Sequence, residues 1–100
     1  MSIAVVKFGE NEFKIKQSFR ALLEFEKMSK KKISDMEENI TDVMMLFYCI
    51  LKVNNLNFNY SFDSFVDMVD ENIDAFQIFT DYLNEQAGDN KDISNDSKKK

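Results

Sequence analysis

The sequence contains no histidine, no proline and no tryptophan, one cysteine and only two glycines. Histidine is the commonest general base and metal ligand, so its absence argues against most catalytic and metal chemistry. The single Cys49 cannot form an internal disulfide, and its apolar neighbours predict a buried, unreactive thiol. Gly9 and Gly88 are too few for a glycine-rich phosphate loop. We therefore expect neither an enzyme nor a bound cofactor.

Long hydrophobic runs are also missing. The longest, from Val43 to Leu51, is far shorter than the roughly 20 residues that a bilayer-spanning helix needs. The apolar residues 1–6 meet Lys7 too soon for a secretory signal. The net charge of -5 repels nucleic acids. We expect a cytoplasmic protein that binds no membrane and no nucleic acid.

Apolar residues make up 44% of the chain and include ten phenylalanines, which is enough for one packed domain. Residues 3–8 are rich in β-branched side chains, a turn signal follows at residues 9–11, and residues 12–16 alternate with Phe13 and Ile15 on one face. This pattern predicts an N-terminal β-hairpin. The fold class is then α+β, mostly α, with the hairpin packed on a bundle of about four helices in residues 1–87. Residues 88–100 hold one apolar residue, which predicts a disordered tail.

Helical periodicity and capping residues place the helices. A first helix spans about residues 19–29, a short turn of helix starts near Ser34, and an apolar central helix reaches about Val53. An amphipathic helix and a final helix follow, and Gly88 ends the latter. The predicted caps are Ser18, Thr41 or Asp42, Ser61 and Asn72. The predicted buried face of the last helix is Ile73, Phe76, Phe79 and Leu83.

Charge is distributed unevenly along the chain. Residues 1–32 carry eight Lys or Arg against four acids, a balance of +4. Residues 33–88 carry one Lys against eleven acids, a balance of -10. Two solvated faces would explain this separation, but the two portions could also attract each other between molecules. We therefore expect self-association into a homo-oligomer.

Two partial motifs suggest alternative sites. Asp70, Asn72, Asp74 and Asp81 have the spacing of calcium ligands in an EF-hand, but Ala75 stands where the loop needs glycine, and helix capping by Asn72 explains the same residues. Asp63-Ser64-Phe65 at a helix start resembles the phosphopantetheine attachment site of acyl carrier proteins. The alternative function is thus a small acidic carrier or regulatory protein, with Ser64 as its attachment site.

One stretch resembles a known family more specifically. Phe19 to Glu26 reads FRALLEFE, which is similar to the (F/I)RAL-x-EFE pattern of phage tail assembly chaperones. The start of the apolar helix, Thr41 to Tyr48, and the capped segment from Ser61 to Val66 follow the same plan over about residues 5–86. The proline common in the interhelical loop of the family is absent here, and asparagine fills that stretch. In this comparison the aromatic and aliphatic positions are read as core, namely Phe8, Phe19, Leu22 and Phe25.

The resemblance implies a binding role in the host bacterial cytoplasm. Members of the family associate with the tape-measure protein, keep it soluble, help tail tube subunits polymerise around it, and are absent from the mature virion. Such a role needs an exposed apolar surface for a partner helix. Flexible methionines suit an adaptable surface, although for any individual methionine we favour plain core packing. The candidate partner-binding residues are Met28, Met36, Met44, Met45 and Met68.

Overall fold

The computed structural model describes the backbone of residues 3–37 and 39–98 and the side chains of residues 3–37 and 39–85. In this part of the chain a two-stranded antiparallel hairpin, β1 (Ala4–Phe8) and β2 (Asn11–Ile15), precedes four α-helices. The predicted α+β, mostly helical class is confirmed. The helices are α1 (Phe19–Ser29), α2 (Ile40–Asn54), α3 (Phe62–Glu71) and α4 (Ile73–Lys98), with a 3-10 turn at Ile33–Asp35 before α2.

The hairpin forms where the sequence predicts it. Gly9 occupies the tight loop with a φ of +64°, a conformation that costs glycine little. The register pairs Val6 with Phe13, so one face of the ribbon is apolar and buried while the other meets solvent. The buried face consists of Val6, Phe8, Phe13 and Ile15.

The core is aromatic and centres on Phe47 of α2. The Phe47 ring stacks on Phe79 of α4, with 4.3 Å between centroids and 5° between planes. It meets Phe65 of α3 edge-on at 5.1 Å and Phe8 of the hairpin at 6.2 Å. One fully buried ring therefore contacts three other elements, which is how α2 becomes the centre of the fold.

Two asparagines attach the end of α2 to the hairpin. The Asn55 amide accepts the backbone N–H of Lys14 at 2.8 Å and donates to the Lys14 carbonyl at 3.0 Å, as a neighbouring strand would. Asn54 donates to the carbonyl of Lys16 at 2.8 Å. The sequence indicates only a turn here; the amides also give the outer edge of β2 its hydrogen-bond partners.

Helix boundaries agree with prediction except at four points. The predicted α1 bounds and the Ser18 and Ser61 caps are confirmed. The α2 cap was predicted at Thr41 or Asp42 and is Asn39, whose side chain accepts the Asp42 N–H at 2.8 Å. The short turn of helix begins at Ile33 rather than Ser34. The Asn72 amide does not cap α4, and the α4 backbone continues past Gly88 to Lys98. A glycine costs a helix only about 1 kcal/mol relative to alanine, so Gly88 alone does not end it.

Two apolar residues predicted to be buried are exposed. Phe19, assigned to the core, is 82% exposed, and Ile73, assigned to the buried face of α4, is 63% exposed. Each is the first residue of its helix. At that position the side chain still lies at the surface, and the apolar side of the helix contacts the core only from the following residues onward. Of the other residues predicted for this face, Phe79 is buried and Phe76 and Leu83 are partly buried; among the described side chains of α4, Ala75 and Tyr82 are buried as well. The disorder predicted for residues 88–100 stays a prediction, because side chains beyond residue 85 lie outside the described ones.

The Asn55 amide can be tested by truncation. Asn55→Ala should lower the free energy of unfolding by about 1–3 kcal/mol, because the backbone groups of Lys14 lose their partners. Asn57→Ala, two residues away and exposed, is the matched control and should change stability by less than about 0.5 kcal/mol. Urea unfolding followed by circular dichroism measures both. Equal stability of the two variants would contradict the role given to Asn55.

Candidate functional site: an apolar groove between three helices

An apolar groove of about 380 Å³ opens where the start of α2, one side of α3 and the start of α4 meet. This volume is near the lower end of the range of about 300–1,000 Å³ found for ligand pockets, and it fits a few apolar side chains rather than a large ligand. Thr41 and Asp70 stand at its polar margin. Its apolar lining is Ile40, Met44, Phe62, Val66, Val69, Ile73 and Phe76.

The groove follows from local sequence. Ile40 and Ile73 each come directly after an asparagine, Asn39 and Asn72, where a helix begins. Each isoleucine therefore stands at the first position of its helix, and both are 63% exposed. On α3, Phe62 and Val66 are four residues apart and therefore lie on the same side of the helix. Together with Ile40 and Ile73 they line the groove. The feature of the sequence that could have indicated this groove is the pair of isoleucines, Ile40 and Ile73, at the starts of two helices.

The walls are held in place by Asn72, which separates α3 from α4. Its amide accepts the backbone N–H of Gly9 at 3.1 Å and donates to the carbonyl of Met68 at 2.9 Å. The corner between α3 and α4 is thereby attached to the hairpin turn. These two hydrogen bonds position the α3 and α4 walls of the groove relative to the hairpin.

The rim of the groove is acidic. Residues 53–85 contain no lysine or arginine. On α3 Asp70 lines the groove, and Asp63, Asp67 and Glu71 are further exposed acids of the same helix. Asp74 follows in the first turn of α4. An apolar floor with negative margins favours a partner that carries apolar anchors flanked by basic residues.

The five methionines predicted to bind a partner are not brought together. Met44 lines the groove. Met28 lies between α1 and α2, where its sulfur is 3.9 Å from that of Cys49. The other three, Met36, Met45 and Met68, do not line the groove and pack partly buried against the core. Whether any of them binds a partner stays a prediction, and Met44 is the one that shares the groove.

Of the residues in the two alternative motifs, Asp70 alone lines the groove. Ser64 is exposed in the first turn of α3, and its hydroxyl accepts a hydrogen bond from Ser61 at 3.1 Å. In the calcium-like pattern, Asp70 belongs to α3, Asp74 and Asp81 belong to α4, and Asn72 ties the hairpin. Among the described residues, no three acidic or cysteine side chains are arranged to hold a metal ion. No helix in that same part is long and apolar enough to cross a membrane.

Cys49 is buried as predicted, with 2% of its surface exposed. Burial raises the pKa of its thiol to about 11, so the thiolate is scarce at neutral pH. We therefore assign Cys49 a role in packing α1 against α2.

The buried Asp42 connects three segments near the groove. Its carboxylate accepts the backbone N–H of Glu37 at 2.9 Å and the ammonium of Lys31 at 2.7 Å. The hydrogen bond from Glu37, followed by the one from Lys31, lowers the pKa of Asp42 below its ordinary value. The same contact with Asp42 raises the pKa of Lys31. The pair holds the link between α1 and α2 against the start of α2.

This pair predicts a specific loss of stability in acid. Because the pKa of Asp42 is lowered on folding, its contribution is present above the ordinary value of 3.8 and is lost as the pH falls through the lower folded value. Asp42→Asn should be less stable than wild type at neutral pH, and the difference should shrink in acid. Thermal unfolding across this range measures it. Asp63→Asn, which removes an exposed carboxylate, should keep the wild-type profile; a constant deficit of Asp42→Asn at every pH would contradict the assignment.

Comparison with known proteins adds no relative: no family model matches the chain, and neither the curated proteins nor the solved structures yield a match.

Proposed function

We propose that the chain is a tail assembly chaperone of a long-tailed phage or prophage, acting in the host bacterial cytoplasm on the tape-measure protein. The resemblance of residues 19–26 to that family suggests the role, and the groove between α2, α3 and α4 is the observation that supports it. A tape-measure protein is a long helical chain with apolar stripes. Such stripes need cover until the tail tube polymerises around them.

The groove suits one recurring mode of recognition, in which an amphipathic helix lays apolar side chains into a hydrophobic cleft. Two or three anchors, spaced three or four residues apart on the partner, would fill the floor formed by Phe62, Val66 and Met44. A lysine or arginine beside those anchors would meet Asp70 at the margin of the groove. Such a helix would cover the exposed Ile40 and Ile73 and so remove apolar surface of both proteins from water, which favours binding.

The proposal predicts that a tape-measure protein is encoded beside this chain, and binding of that protein to the groove can be tested. Ile73→Ser should weaken its binding about tenfold or more, because the exposed side chain contributes to the interface and little to the fold. Leu56→Ser is the matched control, since Leu56 is fully exposed and lies outside the groove. Titration calorimetry with overlapping helical segments of the partner measures both. Equal affinities of the two variants, or no binding by wild type, would contradict the proposal.

The exposure of Ser64 gives the carrier function its own test. Incubation with a phosphopantetheinyl transferase and coenzyme A, followed by intact-mass measurement, would reveal one added prosthetic arm on a carrier protein. On the chaperone proposal we expect the mass of the unmodified chain. A shift that disappears in Ser64→Ala would replace the chaperone with the carrier.

A further inference from the structure

The exposed face of α1 is the chemical complement of the groove. Phe19 and Leu23, one helical turn apart, are 82% and 55% exposed. Arg20, Lys27 and Lys30 lie around them on the exposed surface. Lys27 is 3.6 Å from Glu24, and within the described part neither of the other two forms an ion pair. We name the set Phe19, Arg20, Leu23, Lys27 and Lys30 the α1 patch.

One chain cannot place its own patch in its own groove. The end of α1 is tied to the start of α2 through Lys31 and Asp42, and the carbonyl of Lys16, before α1, is tied to Asn54 at the far end of α2. Ile40 and Asn54 are separated by fourteen residues of helix, which is about 21 Å at 1.5 Å per residue. Phe19 therefore lies near the end of α2 opposite to the groove. Contact between the two surfaces has to be intermolecular.

We propose that the groove, when no partner helix fills it, receives the α1 patch of a second copy of this chain. Phe19 and Leu23 of one copy enter the apolar floor of the next, where they cover the exposed Ile40 and Ile73. The basic residues of the patch then face the acidic rim. A pair of copies joined in this way keeps one free groove at one end and one free patch at the other.

Charge favours this head-to-tail arrangement over a symmetric dimer. A patch-to-patch contact brings Arg20 and Lys30 of two copies together, and a groove-to-groove contact brings together two copies of Asp70 and of the α3 surface, which carries acids and no lysine or arginine. Like charges oppose both, whereas patch against groove joins opposite signs. Contacts between unlike surfaces continue from copy to copy and generate rings or open filaments. The assembly therefore grows with concentration instead of stopping at two chains.

The interface is small, so a weak association is expected, of the class that buries less than about 1,200 Å². It should weaken with salt, because the screening length falls from about 10 Å at 0.1 M to about 3 Å at 1 M. Sedimentation velocity of the full chain over a concentration series at low and high salt measures this. A wild-type chain that is monomeric at every concentration, or an association that strengthens with added sodium chloride, would overturn the proposal.

Two double variants separate the surfaces. Phe19→Ser with Leu23→Ser removes the patch, and Ile40→Ser with Ile73→Ser removes the groove margin. All four side chains are largely exposed, so the fold should persist, which circular dichroism checks. Each double variant alone should be a monomer under conditions where wild type associates. The control Leu56→Ser should associate like wild type, and association of either double variant at wild-type strength would overturn the proposal.

Mixing the two double variants tests the head-to-tail geometry itself. The patch variant retains a groove and the groove variant retains a patch, so an equimolar mixture should form a pair of chains and nothing larger. A mixture that stays monomeric would overturn the arrangement. The patch variant also distinguishes this proposal from the chaperone role, because it should lose self-association while its intact groove still binds the tape-measure helix.

Discussion

Exposing any side of the middle of helix α2 to water would cost free energy, and this constraint organises the domain. Six consecutive residues, from Leu46 to Leu51, are buried. Because successive residues point about 100° apart around a helix, six of them cover its whole circumference. The hairpin, α1, α3 and α4 must therefore surround α2. The stacked and edge-on rings around Phe47 are the contacts by which the hairpin, α3 and α4 do so.

Much of this architecture could be predicted from the sequence. Alternation at Phe13 and Ile15 predicted the hairpin, and serine caps with helical spacing predicted the starts of α1 and α3, because these signals act over a few residues. The failures have a common cause. Phe19 and Ile73 fit the apolar period of their helices, but which side of a helix start faces the core depends on the path of the chain into it. That path is set by distant contacts, such as those of Asn54 and Asn72 with the hairpin.

The candidate site was less accessible to sequence reasoning. Methionine content pointed to five residues, of which Met44 alone lines the groove. A groove is made by the spaces between helices, and its lining comes from three separate segments whose mutual placement no local pattern encodes. The charge pattern, by contrast, was informative. The basic residues around α1 and the acidic residues of α3 and the start of α4 belong to different helices, whereas Lys7 of the hairpin lines one pocket with Glu71 and Asp74.

The amide of Asn72 joins the turn of the hairpin to the corner between α3 and α4 through hydrogen bonds in both directions. A helix entering the cleft beside that corner would meet walls already set at their final spacing. Little conformational freedom would then be lost on docking, and affinity would depend mainly on the shape and charge of the incoming segment. The same joint would carry any strain that a poorly fitting segment imposes into the β-ribbon.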